Sequence, residues 1–370
     1  MSAARPPRVA FVLEQTLGHI THAANLQSLI TPNPRIRASF APIDFDVTGT
    51  PARVPGYGNW TIRAGIRARK AIHGLLRDGP LDAMFIHTQV PAILAGDYLK
   101  RIPTIVSLDA TPIQYDQLGS HYGHATGSPR IERLKWRLNR ECFRRAALVV
   151  TWAAWTKAGL VDDYEVPADK IVVIPPGVDY ARWSAVTRQP AQDGPLRILF
   201  VGGDLERKGG TVLVTAARRL RERGTDVHVD LVTRDELAPE PGIAVHHGLT
   251  PNSPELIDLY HRADVFCLPT LGDCLPMVLS EAGAVGLPLV ATDVGAIGEI
   301  VRPDETGLLV PVGDAEALAG ALGRLAGDAG LRRQLGDHAR QLVEKDYNAA
   351  TNADRLVELL VSLATEGSPA

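Results

Sequence analysis

The chain has 370 residues, enough for two domains that each bury their own core. Hydrophobic residues make up 45% and charged residues 22%, and the formal net charge of -3 argues against a charge-driven nucleic-acid binder. Three scattered cysteines, Cys142, Cys267 and Cys274, form no C-x-x-C pair, which excludes a disulfide framework and makes structural zinc a poor fit.

The first apolar run, RVAFVLE (8–14), has no small-residue cleavage site after it and reads as a strand rather than a signal peptide. Further strands are predicted at AMFIHT (83–88), PTIVSLD (103–109), ALVVTWA (147–153) and KIVVIPP (170–176). A second series follows at 196–203, 226–233, 243–249, 264–270, 288–294 and 306–311. These runs are continuously apolar, as strands covered on both faces are, and helical patterns separate them. The expected fold is α/β, with two doubly wound parallel-sheet domains facing a cleft. The Pro- and Gly-rich stretch 179–195 reads as a linker between domain 1–178 and domain 196–345. A last helix within 346–370 is expected to cross back to the first domain. No apolar run approaches the roughly 18 residues of a membrane span, so a cytoplasmic protein is expected, with the inner face of the cell membrane as a second location.

Two stretches carry the chemistry. The loop VGGDLERKGG (201–210) follows a strand and precedes a helix. Gly202 and Gly203 let the backbone approach a ligand, the next helix N-terminus offers free N–H groups, and Arg207 and Lys208 add positive charge. The chain has only seven Lys among its 39 basic residues, which makes Lys208 conspicuous. The loop is neither a Walker A sequence nor a strict G-x-G-x-x-G fingerprint. An ordinary turn with surface cations is the alternative. The second stretch, GDCLPMVLSE (272–281), sets Asp273 and Glu281 eight residues apart around a helix start marked by Pro276. At 1.5 Å per residue this is roughly 12 Å, the reach from a sugar to the ribose of a nucleotide diphosphate sugar. The N–H groups near Pro276, Met277 and Val278 would then lie opposite the phosphates. Glu281 has apolar neighbours and needs a partner, either ribose hydroxyls or an arginine.

The P-x-x-x-D-x-x-P-x-x-x-x-E-A run, its continuation GLPLVATDVGAIGEIV (286–301), TGLLVPVGD (306–314), FVGGDLERKGG and VIPPGVD (173–179) resemble retaining family-4 glycosyltransferases of the GT-B fold. The resemblance covers nearly the whole chain and is most specific over 196–314. It implies transfer of a sugar from a nucleotide diphosphate sugar, UDP-sugar before GDP-sugar, to an acceptor hydroxyl, with no metal and no separate cofactor. It implies donor contacts from Gly18, Gly202, Gly203, Arg207, Lys208, Asp273, Leu275, Pro276, Met277, Val278 and Glu281. Asp273 stands where Glu is usual. Gly203 stands where an Arg is frequent, and Arg207 is expected to supply that charge.

In the first half, LEQTLGHITHAANL (13–26) resembles the family's first Gly-containing loop. Asp109 occupies the place where many relatives carry a His that touches the sugar. Asp109, Asp273 and Lys208 are therefore the expected catalytic set, and His19, Asp109 and His121 the acceptor contacts. The acceptor class is open: a small molecule, a lipid-linked compound or a glycan, in cell-envelope, glycolipid or natural-product synthesis. DFD (44–46) matches a metal-binding D-x-D triplet but sits after an early strand, where chance is the better reading. The basic amphipathic pattern 59–77 is expected either to face the core or to touch an anionic membrane peripherally. An epimerase or hydrolase on the same fold, or a non-catalytic sugar-nucleotide-binding protein, remain alternatives. The missing dinucleotide fingerprint argues against an NAD-dependent oxidoreductase.

Overall fold

The computed structural model describes residues 5–16, 18–45, 59–118, 127–185 and 194–366. They divide into two compact units: residues 5–114, 127–176 and 349–366 form the first, and residues 115–118 and 177–348 the second.

The first unit is a six-stranded parallel sheet in the order β2-β1-β3-β4-β5-β6. Its strands are β1 (Arg8–Gln15), β2 (Arg37–Asp44), β3 (Ala83–His87), β4 (Thr104–Leu108), β5 (Leu148–Thr151) and β6 (Ile171–Val173). Their central residues are almost wholly buried because helices cover both faces. These helices are α1 (His19–Ile30), α2 (Trp60–Arg77), α3 (Pro129–Arg145) and α4 (Ala154–Tyr164). Strand β2 has no counterpart among the predicted strands. It lies at the sheet edge, half exposed and carrying Pro42, so neither apolar continuity nor a clean alternation marks it.

The second unit repeats the design with β7 (Leu196–Val201), β8 (Val227–Val232), β9 (Ile243–His246), β10 (Val265–Leu268), β11 (Leu289–Thr292) and β12 (Gly307–Val310), in the order β12-β11-β10-β7-β8-β9. Helices α5 (Gly210–Glu222), α6 (Pro254–Arg262), α7 (Met277–Val285), α8 (Ala315–Gly327) and α9 (Ala329–Asp346) cover it. Within the stretch read as a linker, Tyr180–Trp183 forms one helical turn that seats Trp183 in this unit's core, edge-on to Tyr260 at 5.0 Å. The last helix, α10 (Ala349–Glu366), belongs to the first unit. Its Leu356, Val357 and Leu360 pack in one cluster with Phe11 and Phe85.

Each sheet has a point where the strand order reverses: between β1 and β3 in the first unit, and between β7 and β10 in the second. In doubly wound sheets the carboxyl ends of strands at such a point form a crevice suited to ligands.

The amphipathic segment 59–77 is α2, and its apolar side is spent on the core. Ala64, Ala68 and Ile72 are fully buried, and the Arg63 guanidinium lies over the Trp60 ring at 5.2 Å. Among the described residues, an exposed apolar stripe of this unit lies on α3. Ile131, Leu134 and Leu138 are 52%, 57% and 43% exposed, and Arg130, Arg133 and Arg137 are exposed beside them.

Candidate functional site

In the second unit, the loop after β7 and the loop after β10 are stitched together at the reversal point. The Leu271 N–H donates to the Arg207 carbonyl at 2.8 Å, and Arg207 Nη1 donates to the Gly272 carbonyl at 3.2 Å. Gly209 sits at φ +77, and a Cβ there would lie 1.8 Å from the Pro269 carbonyl oxygen. Only glycine permits so close an approach in that conformation. Gly295, at φ +58, closes the other side, where a Cβ would fall 2.3 Å from the Asp273 carbonyl oxygen.

This scaffold brings Lys208 and Asp273 into an ion pair, with side chains 17% and 11% exposed. The second Asp273 oxygen accepts the Cys274 N–H at 3.1 Å. Asp273 does not cap α7, whose N-cap is Pro276 with no side-chain cap bond, and among the described residues no side chain is found on its first-turn N–H groups. Met277 and Val278 are half-buried at that turn, whereas Leu275 is buried in the core. Gly202 lies against the Lys208 stem, since a Cβ at 202 would sit 2.9 Å from Lys208 Cβ.

Glu281 is 6% exposed, and its Oε2 accepts the Tyr260 hydroxyl at 2.8 Å. Tyr260 stacks on Phe266 at 5.5 Å. Burial pushes the Glu281 carboxyl up to about 7, against the opposing pull of the Tyr260 bond. Of the two partners considered for Glu281, ribose hydroxyls or an arginine, no arginine is found on it among the described residues; a tyrosine from α6 holds one oxygen. The Arg207 guanidinium donates to Asp204 at 3.3 Å and to the Gly272 carbonyl, so it braces the loops. A different cation, Arg234 from the loop after β8, lies beside Gly203 and donates through Nε to its carbonyl at 3.1 Å.

In the first unit, His19 at the start of α1 meets Asp109 at the end of β4, with Nε2 to Oδ2 at 3.3 Å. The other ring nitrogen, Nδ1, lies 3.2 Å from the Thr16 hydroxyl. Burial disfavours the charged imidazolium, but Asp109 and then Glu14 outweigh it and raise His19. Asp109 moves down in turn, because His19 outweighs its burial. Below this pair lie three rings that sequence reasoning did not assemble. His87 stacks on Trp152 at 5.2 Å, and His22 meets both edge-on at 4.9 Å. Burial first, then His19, lowers His22 to about 3 and holds His87 well below the usual imidazole range. Glu14 was also missed. It is buried at the end of β1 and accepts from the Thr88 hydroxyl at 2.5 Å and from Trp60 Nε1 at 2.7 Å. The signal was present, since a buried acid directly after the apolar run Val9–Leu13 needs donors. Gly18 has ordinary φ and open space around it. His121 and Asp46 of the D-x-D triplet lie outside the described residues. Among the described residues no cluster of three His, Cys, Asp or Glu could hold a metal ion. The three cysteines are buried free thiols.

Two parallel six-stranded sheets with flanking helices, and a cationic Gly loop at the reversal point of the second, define a protein of the GT-B glycosyltransferase architecture. Residues 27–182 match the model of Glycosyltransferase Family 4, and residues 195–328 match that of Glycosyl transferases group 1. The chain belongs to this glycosyltransferase family. It is 32% identical over 233 residues to the D-inositol 3-phosphate glycosyltransferase of Corynebacterium urealyticum, an alignment covering 56% of this chain and 55% of that relative. It is 27% identical over 321 residues to the glycogen synthase of Mycobacterium tuberculosis, covering 82% of this chain and 74% of the other. The chain thus spans little more than half the length of the first of these relatives. Among solved structures, the sucrose-phosphate synthase of Thermosynechococcus elongatus superposes with a TM-score of 0.77 at 17% identity, over 97% of this chain and 100% of that one. Anabaena HepE, crystallised with UDP and glucose, gives 0.68 at 14% identity, over 96% of this chain and 100% of that one.

Proposed function

We propose that the protein is a retaining glycosyltransferase that moves a sugar from a nucleotide diphosphate sugar, UDP-sugar in first place, to an acceptor hydroxyl. The observation that carries this reading is the Lys208–Asp273 pair at the β7/β10 reversal point, beside the uncapped start of α7. Lys208 and the N–H groups at Met277 and Val278 receive the diphosphate, with Gly202 and Gly203 letting the backbone come close. Donor binding draws Lys208 from Asp273 to the phosphates, which frees Asp273 for the sugar hydroxyls. Glu281 keeps Tyr260 on Oε2 and takes a ribose hydroxyl on Oε1. The UDP in the HepE structure supports the choice of base.

Catalysis on this reading is positioning and charge stabilisation. The bond from the anomeric carbon to the diphosphate oxygen breaks while the acceptor oxygen bonds to the same face. The departing phosphate oxygen takes the acceptor proton, so no metal, cofactor or covalent enzyme intermediate is required. Lys208 and the α7 N–H groups stabilise the charge that develops on the leaving diphosphate. Asp109 and His19 orient the acceptor, which is a small molecule, a lipid-linked compound or a glycan. We place peripheral contact with the inner face of the cell membrane on α3, whose exposed Ile131, Leu134 and Leu138 run beside exposed arginines, rather than on α2.

A thermal-shift screen against UDP-, GDP-, ADP- and TDP-sugars identifies the donor, because a ligand that binds the folded state raises its stability. With that donor, Lys208→Ala and Glu281→Ala should nearly abolish transfer while circular dichroism stays unchanged. Asp109→Asn should raise the KM for acceptor more than that for donor. Near wild-type transfer by either of the first two variants would overturn the site. Free sugar or a new isomer formed from donor alone would point to a hydrolase or epimerase.

A further inference from the structure

The glycine loop after β7 lacks a cation at position 203, and the structure shows what stands there instead. Arg234 comes from the loop after the neighbouring strand β8, and its Nε donates to the Gly203 carbonyl at 3.1 Å. A Cβ on residue 203 would fall 2.9 Å from that Nε and 3.2 Å from Nη2. The guanidinium therefore fills the space that a side chain at 203 would enter. A second tether holds the same two loops together, as the Leu205 N–H donates to Asp235 Oδ2 at 2.6 Å. The Lys208 stem lies against Gly202, where an added Cβ would fall 2.9 Å from Lys208 Cβ. Gly202 and Gly203 are thus flanked by Lys208 and Arg234.

The alternatives for a second cation are poor. Arg207 is committed to Asp204 and to the Gly272 carbonyl. Arg234 is exposed, and among the described residues the bond to Gly203 is the one found for its guanidinium. Both Nη groups are left for a ligand. A guanidinium suits this task because its parallel N–H groups match two phosphate oxygens at once.

We propose that Arg234 is the second diphosphate-binding cation of the donor site, delivered from β8 and admitted by the missing side chain at Gly203. The proposal rests on the donor reading above, and the test separates the two. Titration calorimetry is run with UDP, with GDP and ADP alongside, on wild type, Lys208→Ala, Arg234→Ala and the double variant Arg234→Ala/Gly203→Arg. Loss of one charge-assisted contact predicts about a tenfold rise in the Kd for UDP with Arg234→Ala. Affinity for uridine, which has no phosphates, should not move. Gly203→Arg in the Arg234→Ala background should recover most of the loss by restoring a guanidinium from the other side. Unchanged UDP affinity in Arg234→Ala, with affinity lost in Lys208→Ala, overturns the proposal and leaves the donor reading standing. An equal loss for UDP and uridine also overturns it, because Arg234 would then only shape the loop. Diphosphate affinity unchanged in both single variants removes the donor site itself, and the proposal with it.

Discussion

Replacing Glu281 by glutamine tests whether a buried carboxylate is held against its own stability for the sake of a ligand. Burial lifts this group from an ordinary 4.5 to about 7. At about 1.4 kcal/mol for each unit by which a pKa moves, ionised Glu281 costs the folded protein roughly 3 kcal/mol. The folded state holds the proton more tightly than the unfolded chain, so the cost is absent below pH 4.5. It grows as pH rises and is complete above about 7. Glutamine keeps the shape and still accepts the Tyr260 hydroxyl, but it carries no charge.

Glu281→Gln should therefore exceed wild type only slightly at pH 5 and by the full amount at pH 8. The second unit is close in size to a 150–250-residue domain, for which 1 kcal/mol moves Tm by about 2–4 °C. Several degrees of added Tm at pH 8 are expected, read by calorimetry across pH 5 to 8.5. The same variant should lose transfer, because a glutamine oxygen accepts ribose hydroxyls less strongly than a carboxylate. Parallel Tm curves for variant and wild type over the whole range would refute the reasoning. They would mean that Glu281 ionises in the fold without penalty, through a donor other than Tyr260.

Gly209→Ala should destabilise the protein by at least about 2 kcal/mol, since a left-handed residue costs about 1–2 kcal/mol and the added Cβ meets the Pro269 carbonyl oxygen at 1.8 Å. Gly224→Ala is the control: its φ is +82 with nothing within 4 Å, so only the conformational cost should appear in the unfolding midpoint. Leu134→Glu/Leu138→Glu on α3 should leave Tm and donor affinity unchanged but abolish co-sedimentation with phosphatidylglycerol vesicles. Wild type should pellet with those vesicles and not with phosphatidylcholine ones. Wild type that stays in the supernatant with both, or that dimerises without lipid through this face, would remove the membrane assignment.

The strands were legible because a parallel sheet covered on both faces forces continuous apolar runs, and β1, β3, β4 and β5 have little exposed surface. The exception, β2, lies at an edge where that pressure is absent. The same physics made Glu281 and Asp273 visible, since a carboxylate in apolar surroundings demands a reason. Their partners were not visible. Tyr260 reaches Glu281 from 21 residues away on another helix, His19 finds Asp109 across 90 residues, and Arg234 meets Gly203 across 31. Each meeting depends on which strand lies beside which, and the order β12-β11-β10-β7-β8-β9 puts β8 next to β7 although a whole helix separates them in the chain. Nearness in sequence therefore does not decide which cation stands beside Gly203. Arg207 is near in sequence but spent on loop carbonyls and Asp204, whereas Arg234 is distant in sequence and adjacent across the sheet. A charge missing from a motif is best sought at the end of the neighbouring strand, where a single glycine can admit it.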